Sequence, residues 1–206
     1  MAGVSPGSTK RIIPVILAAG SSHRMGSPKA LLKLNTDSFI RHIISLYASA
    51  GCGDIVVVLG AHRREVEEHL LGLDLHLAVN ENYGQGQLSS IIVGIGKAAT
   101  LGADSVIVHP VDHPLVPGDV VNSMIESIRR TDAPIVLPVH RGRRGHPVAF
   151  SSSLFEELKA APSEVGARAV VWSHAQGIFE VETEEEGILL NVDTPEAYEL
   201  LRKRFR

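Results

Sequence analysis

A segment of small and basic residues that follows the first apolar run of the sequence is suited to binding an anion. The apolar run at residues 12–18 leads into residues 17–29, LAAGSSHRMGSPK, which contain Arg24 and Lys29. Small residues let backbone N–H groups approach an anion closely, and the two cations add positive charge. The segment has neither the Gly-Lys-Ser/Thr of a P-loop nor the third glycine of the dinucleotide fingerprint. We therefore predict a diphosphate or triphosphate loop of another kind, with an ordinary solvated loop as the alternative.

Two aspartates in turns that contain proline have the chemistry to hold a hard cation. Asp112 lies in residues 109–115, HPVDHPL, directly after an apolar run, and Asp193 lies in residues 191–195, NVDTP. Mg²⁺ prefers oxygen ligands and commonly bridges one or two carboxylates to substrate phosphates. The alternatives are a turn or N-cap role for Asp112 and a cap of the last helix for Asp193. Combined with the predicted phosphate loop, and with no general base of obvious type, the aspartates indicate metal-assisted phosphoryl or nucleotidyl transfer.

Short apolar runs alternate with amphipathic stretches of helix length, and this order must position the predicted site. The runs predict strands at residues 12–18, 54–59, 75–79, 105–109, 134–139, 146–150 and 177–181. The stretches predict helices at residues 39–47, 61–71, 88–99, 120–130, 154–160, 167–174 and 195–205. Continuous apolar strands separated by helices are typical of a mostly parallel sheet with helices on both faces. We predict an α/β fold, a Rossmann-like three-layer α/β/α sandwich, whose ligands bind at the carboxyl ends of the strands.

The composition excludes several classes of protein. The chain has 20 Lys+Arg against 23 Asp+Glu, a formal net charge of −3, which argues against general nucleic-acid binding. Its single cysteine, Cys52, excludes an internal disulfide, and no apolar window approaches the ~20 residues of a membrane span. Residues 1–11 contain no apolar stretch of signal-peptide length. We predict a cytoplasmic protein with a flexible tail at residues 1–11 and a single domain at residues 12–206.

The ordered set of motifs resembles the MobA-like nucleotidyltransferases over about residues 12–204, and most closely their molybdenum-cofactor cytidylyltransferase branch. The similar segments are residues 17–29, 80–94 (NENYGQGQLSSIIVG), 111–115 (VDHPL), 142–150 (GRRGHPVAF) and 192–195 (VDTP). In the family these are the opening signature, the segment with paired serines, the Gly-Asp-Gln-Pro-Leu block, the Gly-His-Pro block and the closing Asp-Thr-Pro. The order of these five segments is far more specific than any one of them.

The resemblance implies roles for individual residues. The implied nucleotide-binding residues are Leu17, Ala18, Ala19, Gly20, Arg24, Lys29, Asn80, Ser89 and Ser90. Asp112 and Asp193 are the implied ligands of Mg²⁺, and Arg24, Lys29 and Asp112 are the implied catalytic residues. The implied acceptor-binding residues are His113, Arg144, Gly145, His146 and Pro147.

The reaction that the resemblance implies is transfer of a nucleotide to a small phosphorylated acceptor, molybdopterin or the molybdenum cofactor. An acceptor phosphate oxygen attacks the α-phosphorus of a nucleoside triphosphate in line, and pyrophosphate leaves. Ala19 stands in place of a second glycine, which favours CTP over GTP by analogy with the family. The resemblance also implies transient contact with a molybdoenzyme or its chaperone, and it implies neither nucleic-acid nor membrane binding.

Three positions depart from the family pattern, and three alternatives remain. Val111, His113 and Gln87 replace the usual Gly, Gln and Met, and His113 directly follows a predicted metal ligand, so it bears on the identity of the acceptor. The alternatives are use of GTP, transfer to another small metabolite, and a non-catalytic module that binds a nucleotide or cofactor for delivery. Retention of both aspartates disfavours the module, because a binding protein needs no second metal ligand.

Overall fold

The computed structural model describes residues 10–204 of the chain. Residues 1–9 of the predicted tail and Phe205, the last residue of the last predicted helix, lie outside the described residues. The two described residues of the tail contact the folded body. Lys10 Nζ donates a hydrogen bond to the carbonyl of Ile128 (3.1 Å), and the backbone N–H of Arg11 donates to the carboxylate of Asp104 (2.7 Å).

The strands and helices alternate along the described chain. The strands are β1 (Ile12–Ala18), β2 (Lys33–Leu34), β3 (Asp37–Ser38), β4 (Val56–Leu59), β5 (His76–Val79), β6 (Ser105–Pro110), β7 (Ile135–His140), β8 (Arg143–Arg144), β9 (Val148–Ser151) and β10 (Ile178–Glu182). The helices are α1 (Phe39–Ser49), α2 (Arg63–His69), α3 (Gln87–Thr100), α4 (Gly118–Arg130), α5 (Phe155–Ala160), α6 (Arg168–Ser173) and α7 (Pro195–Arg204). Each predicted strand and helix that lies in the described chain is present, with ends that differ by a few residues.

The main sheet has the strand order β10-β7-β9-β6-β1-β4-β5, with β8 paired to β7. β1 is parallel to both β4 and β6, β4 is parallel to β5, and β7 is parallel to β10. β9 is antiparallel to β6 and β7, between which it lies. The mostly parallel α/β prediction is therefore confirmed. The chain adds β4 and β5 on one side of β1 and then β6 on the other, so the crevice at the carboxyl ends of β1 and β6 is the position where such folds bind ligands.

Helices cover both faces of the sheet because the strands are apolar on both sides. Successive strand residues point to opposite faces, so Ile16 and Val15 pack into different clusters of buried side chains. The cluster that contains Ile16 includes α1 and α4, whereas the cluster that contains Val15 includes α3 and α5. α3 lies very close to β1, since a Cβ atom on Gly94 would stand 2.3 Å from Val15 Cγ1. The sandwich thereby fixes the loops at the strand ends between two packed layers.

Candidate active site

The carboxyl ends of β1 and β6 border a cavity of about 480 Å³. Seven of the residues that the sequence predicts for the site line this cavity: Leu17, Ala18, Ala19, Gly20, Lys29, Ser90 and Asp112. Arg24 lies beside it, in a smaller cavity of about 210 Å³ that also includes Lys29 and Asp193. The predicted phosphate loop and both predicted metal ligands thus lie around one continuous region.

The loop after β1 folds back so that Lys29 returns to the end of the strand. Ser22 and Gly26 both have left-handed backbone conformations, with φ of 51° and 67°. The Oγ of Ser22 accepts a hydrogen bond from the backbone N–H of Lys29 (3.0 Å). A left-handed serine is uncommon, and here its side chain closes the turn that carries Lys29.

The ammonium of Lys29 lies between the two predicted metal ligands. Lys29 Nζ donates to Asp112 Oδ2 at 3.4 Å and also to Asp193 Oδ1. The guanidinium of Arg24 is 3.8 Å from Asp193 Oδ2, and Asn191 Nδ2 donates to the same oxygen at 2.8 Å. The two carboxylates, which are far apart in the sequence, therefore face a common point that already holds a positive charge.

Backbone hydrogen bonds join the three segments that carry these side chains. The N–H of Val111 donates to the carbonyl of Leu17 (3.1 Å), which attaches the Asp112 turn to the end of β1. The N–H of Val192 donates to the carbonyl of Asp112 (2.8 Å), which attaches the Asp193 segment to the same turn. The positions of both aspartates relative to β1 are thus set by main-chain contacts and do not depend on Lys29.

The aspartates differ in their electrostatic surroundings. Burial raises the pKa of the Asp112 carboxyl, and the charge of Lys29 opposes that shift. The hydrogen bond from Lys29 lowers the pKa of Asp193, and the charge of Arg24 contributes to that shift. Lys29 therefore favours the ionised form of both carboxylates, which is the form that binds a metal ion.

The residues present fit a hard divalent cation. Asp112 and Asp193 offer ionised oxygens that converge on one point, and carboxylate oxygens are the ligands that Mg²⁺ prefers. Among residues 10–204 no group of three or more His, Cys, Asp or Glu side chains is arranged to hold a metal ion. The remaining ligands would come from substrate phosphates and water, as is usual for Mg²⁺.

A second cavity, of about 420 Å³, adjoins the first and shares Gln87 and Pro110 with it. Of the predicted acceptor-binding residues, Arg144, Gly145 and His146 line it, whereas His113 and Pro147 do not. Gly145 passes so close to the chain after β10 that an added Cβ atom would stand 2.6 Å from the carbonyl oxygen of Ile188. Glycine at this position therefore allows the wall of the cavity to close.

A pair of imidazoles, of which His113 is buried and His146 half-buried, lies between Asp112 and the second cavity. The ring centroids of His113 and His146 are 4.3 Å apart. Burial is the main cause that lowers the pKa of His113 to about 3 and that of His146 to about 4, so both rings are neutral near pH 7. Their Nδ1 atoms are buried and have no hydrogen-bond partner among the described residues. Buried polar atoms of this kind are uncommon and often mark a place where a ligand or water binds.

The comparison with family models decides what kind of protein carries this arrangement. The model of the MobA-like NTP transferase domain matches residues 14–178. The chain belongs to the MobA-like NTP transferase family. The predicted family is thus confirmed, and the matched range contains the loop after β1, Asp112 and the second cavity.

Relatives within the MobA-like family match almost the whole chain. The chain is 28% identical over 202 residues to the purine catabolism protein PucB of Bacillus subtilis, covering 93% of this chain and 96% of that protein. It is 31% identical over 194 residues to the molybdenum cofactor guanylyltransferase of Shewanella baltica, with 91% and 94% covered. It is 27% identical over 192 residues to the molybdenum cofactor cytidylyltransferase of Escherichia coli, with 93% and 95% covered. Sequence identity to these relatives therefore does not distinguish a guanylyltransferase from a cytidylyltransferase.

The fold of this MobA-like chain also matches solved structures. The crystal structure of Rv0371c from Mycobacterium tuberculosis H37Rv superposes with a TM-score of 0.82 at 24% sequence identity, covering 95% of this chain and 100% of that one. The match confirms the predicted Rossmann-like α/β sandwich. None of the helices within residues 10–204 has the length and apolar composition needed to span a lipid bilayer.

The segment with paired serines contributes to the MobA-like site mainly through one hydroxyl. Asn80 is buried, does not line either cavity, and its Nδ2 donates to Ser89 Oγ (2.8 Å) and Ser90 Oγ (2.9 Å). Ser89 in turn donates to the carbonyl of Gly86 (2.8 Å). Ser90 faces the first cavity. Asn80 and Ser89 thus hold the start of α3, and Ser90 is the member of this group that a ligand in the cavity can reach.

Several cavity residues were not predicted from the sequence. His62 follows β4 and Tyr83 follows β5, and both line the first cavity. His62 Nε2 donates to the carbonyl of Ser21 (3.0 Å), which ties the loop after β4 to the loop after β1. Their positions after parallel strands were the available signal, because ligands in such folds contact the carboxyl ends of neighbouring strands. Arg168 lines the second cavity, and no motif in the sequence marks it.

Proposed function

We propose that this protein transfers CMP from CTP to a phosphorylated molybdopterin-type acceptor in a Mg²⁺-dependent reaction that releases pyrophosphate. The observation that carries the proposal is the convergence of Lys29, Asp112 and Asp193 at the edge of a cavity of about 480 Å³. A lysine and two carboxylates beside a loop of small residues supply the phosphate-binding cation and the metal-binding oxygens that phosphoryl transfer uses.

The first cavity binds the nucleotide along the end of β1. Residues 17–20 line this cavity, and a ligand can approach the backbone closely at Ala18, Ala19 and Gly20 because these residues are small. Lys29 and Arg24 contact the carboxylates in the absence of substrate. When a triphosphate binds, these two cations turn to its phosphates and neutralise the charge that develops on the departing pyrophosphate.

Asp112 and Asp193 would hold Mg²⁺, which supplies neutralising charge and alignment for the phosphate oxygens. The backbone hydrogen bonds that join their segments to β1 keep both carboxylates in place while Lys29 moves. Their contribution to the rate is therefore positional: two anionic side chains held in advance at the point where the phosphates must be oriented.

The acceptor occupies the second cavity, which adjoins the first at Gln87 and Pro110. An oxygen of the acceptor phosphate attacks the α-phosphorus, a new P–O bond forms, and the bond to the β-phosphate breaks with release of pyrophosphate. A phosphate oxygen is already ionised near neutral pH, so this attack needs no general base. The neutral rings of His113 and His146 line the acceptor side of the reaction centre and can donate or accept hydrogen bonds there.

CTP is proposed over GTP because of Ala19. This residue is 3% exposed, and its methyl group lies against Gly60, where an added Cβ atom would stand 2.8 Å from it. The loop after β1 is thus filled at this position by a methyl group where the family's guanine-specific pattern has glycine. The named relatives support an acceptor related to the molybdenum cofactor, since two of them are transferases that act on it.

The test is pyrophosphate release from CTP, GTP, ATP and UTP, with molybdopterin or molybdenum cofactor and with Mg²⁺ or Mn²⁺. We expect release that depends on both the acceptor and the metal, and that is faster with CTP than with GTP. Faster release with GTP would reverse the assignment of the nucleotide. Tight nucleotide binding without release from any combination would instead indicate a non-catalytic binding module.

A further inference from the structure

The two arginines of the second cavity differ in whether their charge is available to a ligand. Arg144 is predicted from the sequence to bind the acceptor, but both its Nε and its Nη2 contact Glu180 Oε1, at 2.8 Å and 2.7 Å. A guanidinium held by a carboxylate in this way has most of its charge neutralised locally. A ligand in the cavity would have to compete with Glu180 for it.

Arg168, the first residue of α6, lines the same cavity and is not engaged in this way. Within residues 10–204 no carboxylate lies at ion-pair distance from its guanidinium, and it makes no hydrogen bond there. Its positive charge affects a residue that lines the cavity. Burial is the largest cause that lowers the pKa of His146, and the charge of Arg168 is the second. The field of Arg168 therefore reaches a side chain that a bound acceptor would contact.

One negative charge also lies at the rim of the second cavity, on Glu164. The carboxylate is exposed to solvent and accepts a hydrogen bond from Ser163 Oγ (3.0 Å). Arg168 is exposed as well, so water and salt screen both charges, but within residues 10–204 Glu164 forms no ion pair with Arg168 and does not occupy its guanidinium. Arg168 is thus the cation of this cavity that an anionic ligand can pair with most directly.

The walls of the second cavity indicate what kind of molecule carries that anion. They are formed largely by apolar side chains, among them Leu88, Ile91, Val108, Leu137, Phe150 and Val171. Such walls suit a flat ring system, with polar groups bound at a few defined points. The reacting centre lies at Lys29 and Asp112, which line the other cavity, so it is separate from Arg168.

We propose that Arg168 binds a second anionic group of the acceptor, distinct from the phosphate that attacks the nucleotide. The inference depends on the proposed function, because it assumes that the acceptor occupies the second cavity. It makes the substrate a ring-bearing molecule with anionic groups at two positions. Arg168 would then discriminate against acceptors that carry the reacting phosphate alone.

The kinetic test uses Arg168→Gln with CTP and molybdopterin as substrates. We expect the KM for molybdopterin to rise about 10-fold or more, as for loss of a charge-assisted hydrogen bond. The KM for CTP and kcat at saturating molybdopterin stay within twofold, because Arg168 does not touch the reacting phosphate. A fall in kcat with unchanged KM would place Arg168 on the reacting group and overturn the proposal.

Three further variants control this measurement. Arg168→Lys restores part of the affinity because it restores the charge, and Glu164→Gln, at the same rim, does not raise the KM for molybdopterin. Arg144→Gln raises it less than Arg168→Gln does, since Arg144 is already paired with Glu180. The reverse order of the two arginine variants would assign the anion to Arg144 and overturn the proposal.

An equilibrium measurement separates this inference from the proposed reaction. Isothermal titration calorimetry measures the binding directly, because Trp172, the single tryptophan of the chain, is 64% exposed and does not line this cavity. In a titration with molybdopterin and no nucleotide, we expect the midpoint to shift about 10-fold upward in Arg168→Gln. If the wild-type protein shows this binding but releases no pyrophosphate, the proposed function fails and Arg168 keeps its role. If the wild-type protein transfers CMP and the titration midpoints of the wild type and of Arg168→Gln coincide, the inference about Arg168 fails and the proposed function stands.

Discussion

At the scale of single residues, Lys29 is the side chain whose contacts say most about the chemistry. Its side chain is 16% exposed and its ammonium bridges Asp112 and Asp193, which leaves a net charge of −1 on the three groups. The guanidinium of Arg24, 3.8 Å from Asp193, balances that charge. Burying this cation beside two carboxylates is stable only because each charge has a partner. The same three charges can rearrange around a triphosphate and a metal ion without leaving any of them isolated.

Lys29→Ala is therefore expected to weaken both binding and transfer. Loss of the ammonium removes a donor to the leaving pyrophosphate, which lowers kcat about 100-fold, and it also raises the KM for the nucleotide. Lys33→Ala, at an exposed lysine on β2, is the matched control and should retain both values. Steady-state rates of pyrophosphate release give the comparison. Unchanged kinetics in Lys29→Ala would show that the loop after β1 does not bind the phosphates.

The residues of the site differ in how far the sequence could predict them. Asp112 follows an apolar run, so the rule that parallel strands present their carboxyl ends at one edge was enough to place it near Lys29. Asp193 was a candidate from its own proline-containing turn, with a helix cap as the alternative, but its position beside Asp112 depends on the backbone contact between Val192 and Asp112, which the sequence does not show. The proposed role of Arg168 could not be predicted, because it depends on the pairing of Arg144 on β8 with Glu180 on β10, two strands that both flank β7.

At the scale of elements, the contact between α3 and β1 holds the site together. α3 begins beside the first cavity with Gln87, Ser90 in its first turn lines the same cavity, and further along the helix packs on β1 through Gly94. The sequence predicted both elements from apolar spacing, but it could not predict how closely they approach. It also gave no indication that β9 runs antiparallel between β6 and β7, because strand direction depends on the path of the connecting chain.

Gly94→Ala is expected to destabilise the fold. The added methyl group would stand 2.3 Å from Val15 Cγ1 and 3.0 Å from Val58 Cγ2, so α3 must move away from the sheet. Overpacking of this kind costs about 1–3 kcal/mol in the free energy of unfolding. Gly96→Ala, two residues along the same helix with nothing within 4 Å, should instead stabilise by about 0.5–1 kcal/mol. Urea unfolding of both variants gives the comparison, and equal stabilities would contradict the close packing.

At the scale of the whole molecule, three imidazoles make stability depend on pH: His109 and His113, which are buried, and His146, which is half-buried. Burial lowers the pKa of His109 to about 4, and the same cause keeps His113 and His146 at about 3 and 4. His109 Nε2 donates to the carbonyl of His113 (3.0 Å), and its Nδ1 accepts from the hydroxyl of Tyr47 (2.9 Å). This chain of hydrogen bonds connects α1, β6 and the turn that carries Asp112, and it needs a neutral ring.

The free energy of unfolding is therefore expected to fall as the pH falls from about 6.5 towards 4. In that range unfolded histidines are protonated, near their ordinary pKa of about 6.5, whereas the folded ones are not. Unfolding then takes up about three protons from these groups, so stability rises with pH. Denaturant unfolding at several pH values measures how steeply the free energy of unfolding changes with pH. The variant His109→Gln keeps a donor for the carbonyl of His113 and should reduce the proton uptake on unfolding by about one proton. A slope near pH 5 that His109→Gln leaves unchanged would contradict a buried neutral His109.

The charges of the chain nearly cancel, but the positions of the basic residues suit a small anionic substrate. With 20 Lys+Arg against 23 Asp+Glu the molecule has no general attraction for polyanions. Lys29 lies at the first cavity, Arg24 in the small cavity beside it and Arg168 at the second, so each place where a phosphate would bind has a cation within reach. Recognition is thus local and does not require a basic protein.

The central claim is that Asp112 helps to hold the metal ion for nucleotidyl transfer, and transfer of an α-³²P label from CTP to molybdopterin tests it most directly. Asp112→Asn keeps the size of the side chain and the backbone contacts of the turn, but it removes the negative charge. We expect the wild-type protein to label the acceptor only when a divalent metal is present, and Asp112→Asn to do so at least about 100-fold more slowly at saturating Mg²⁺. Circular dichroism and the unfolding midpoint verify that the variant folds. Labelling by a folded Asp112→Asn variant at the wild-type rate would contradict the account.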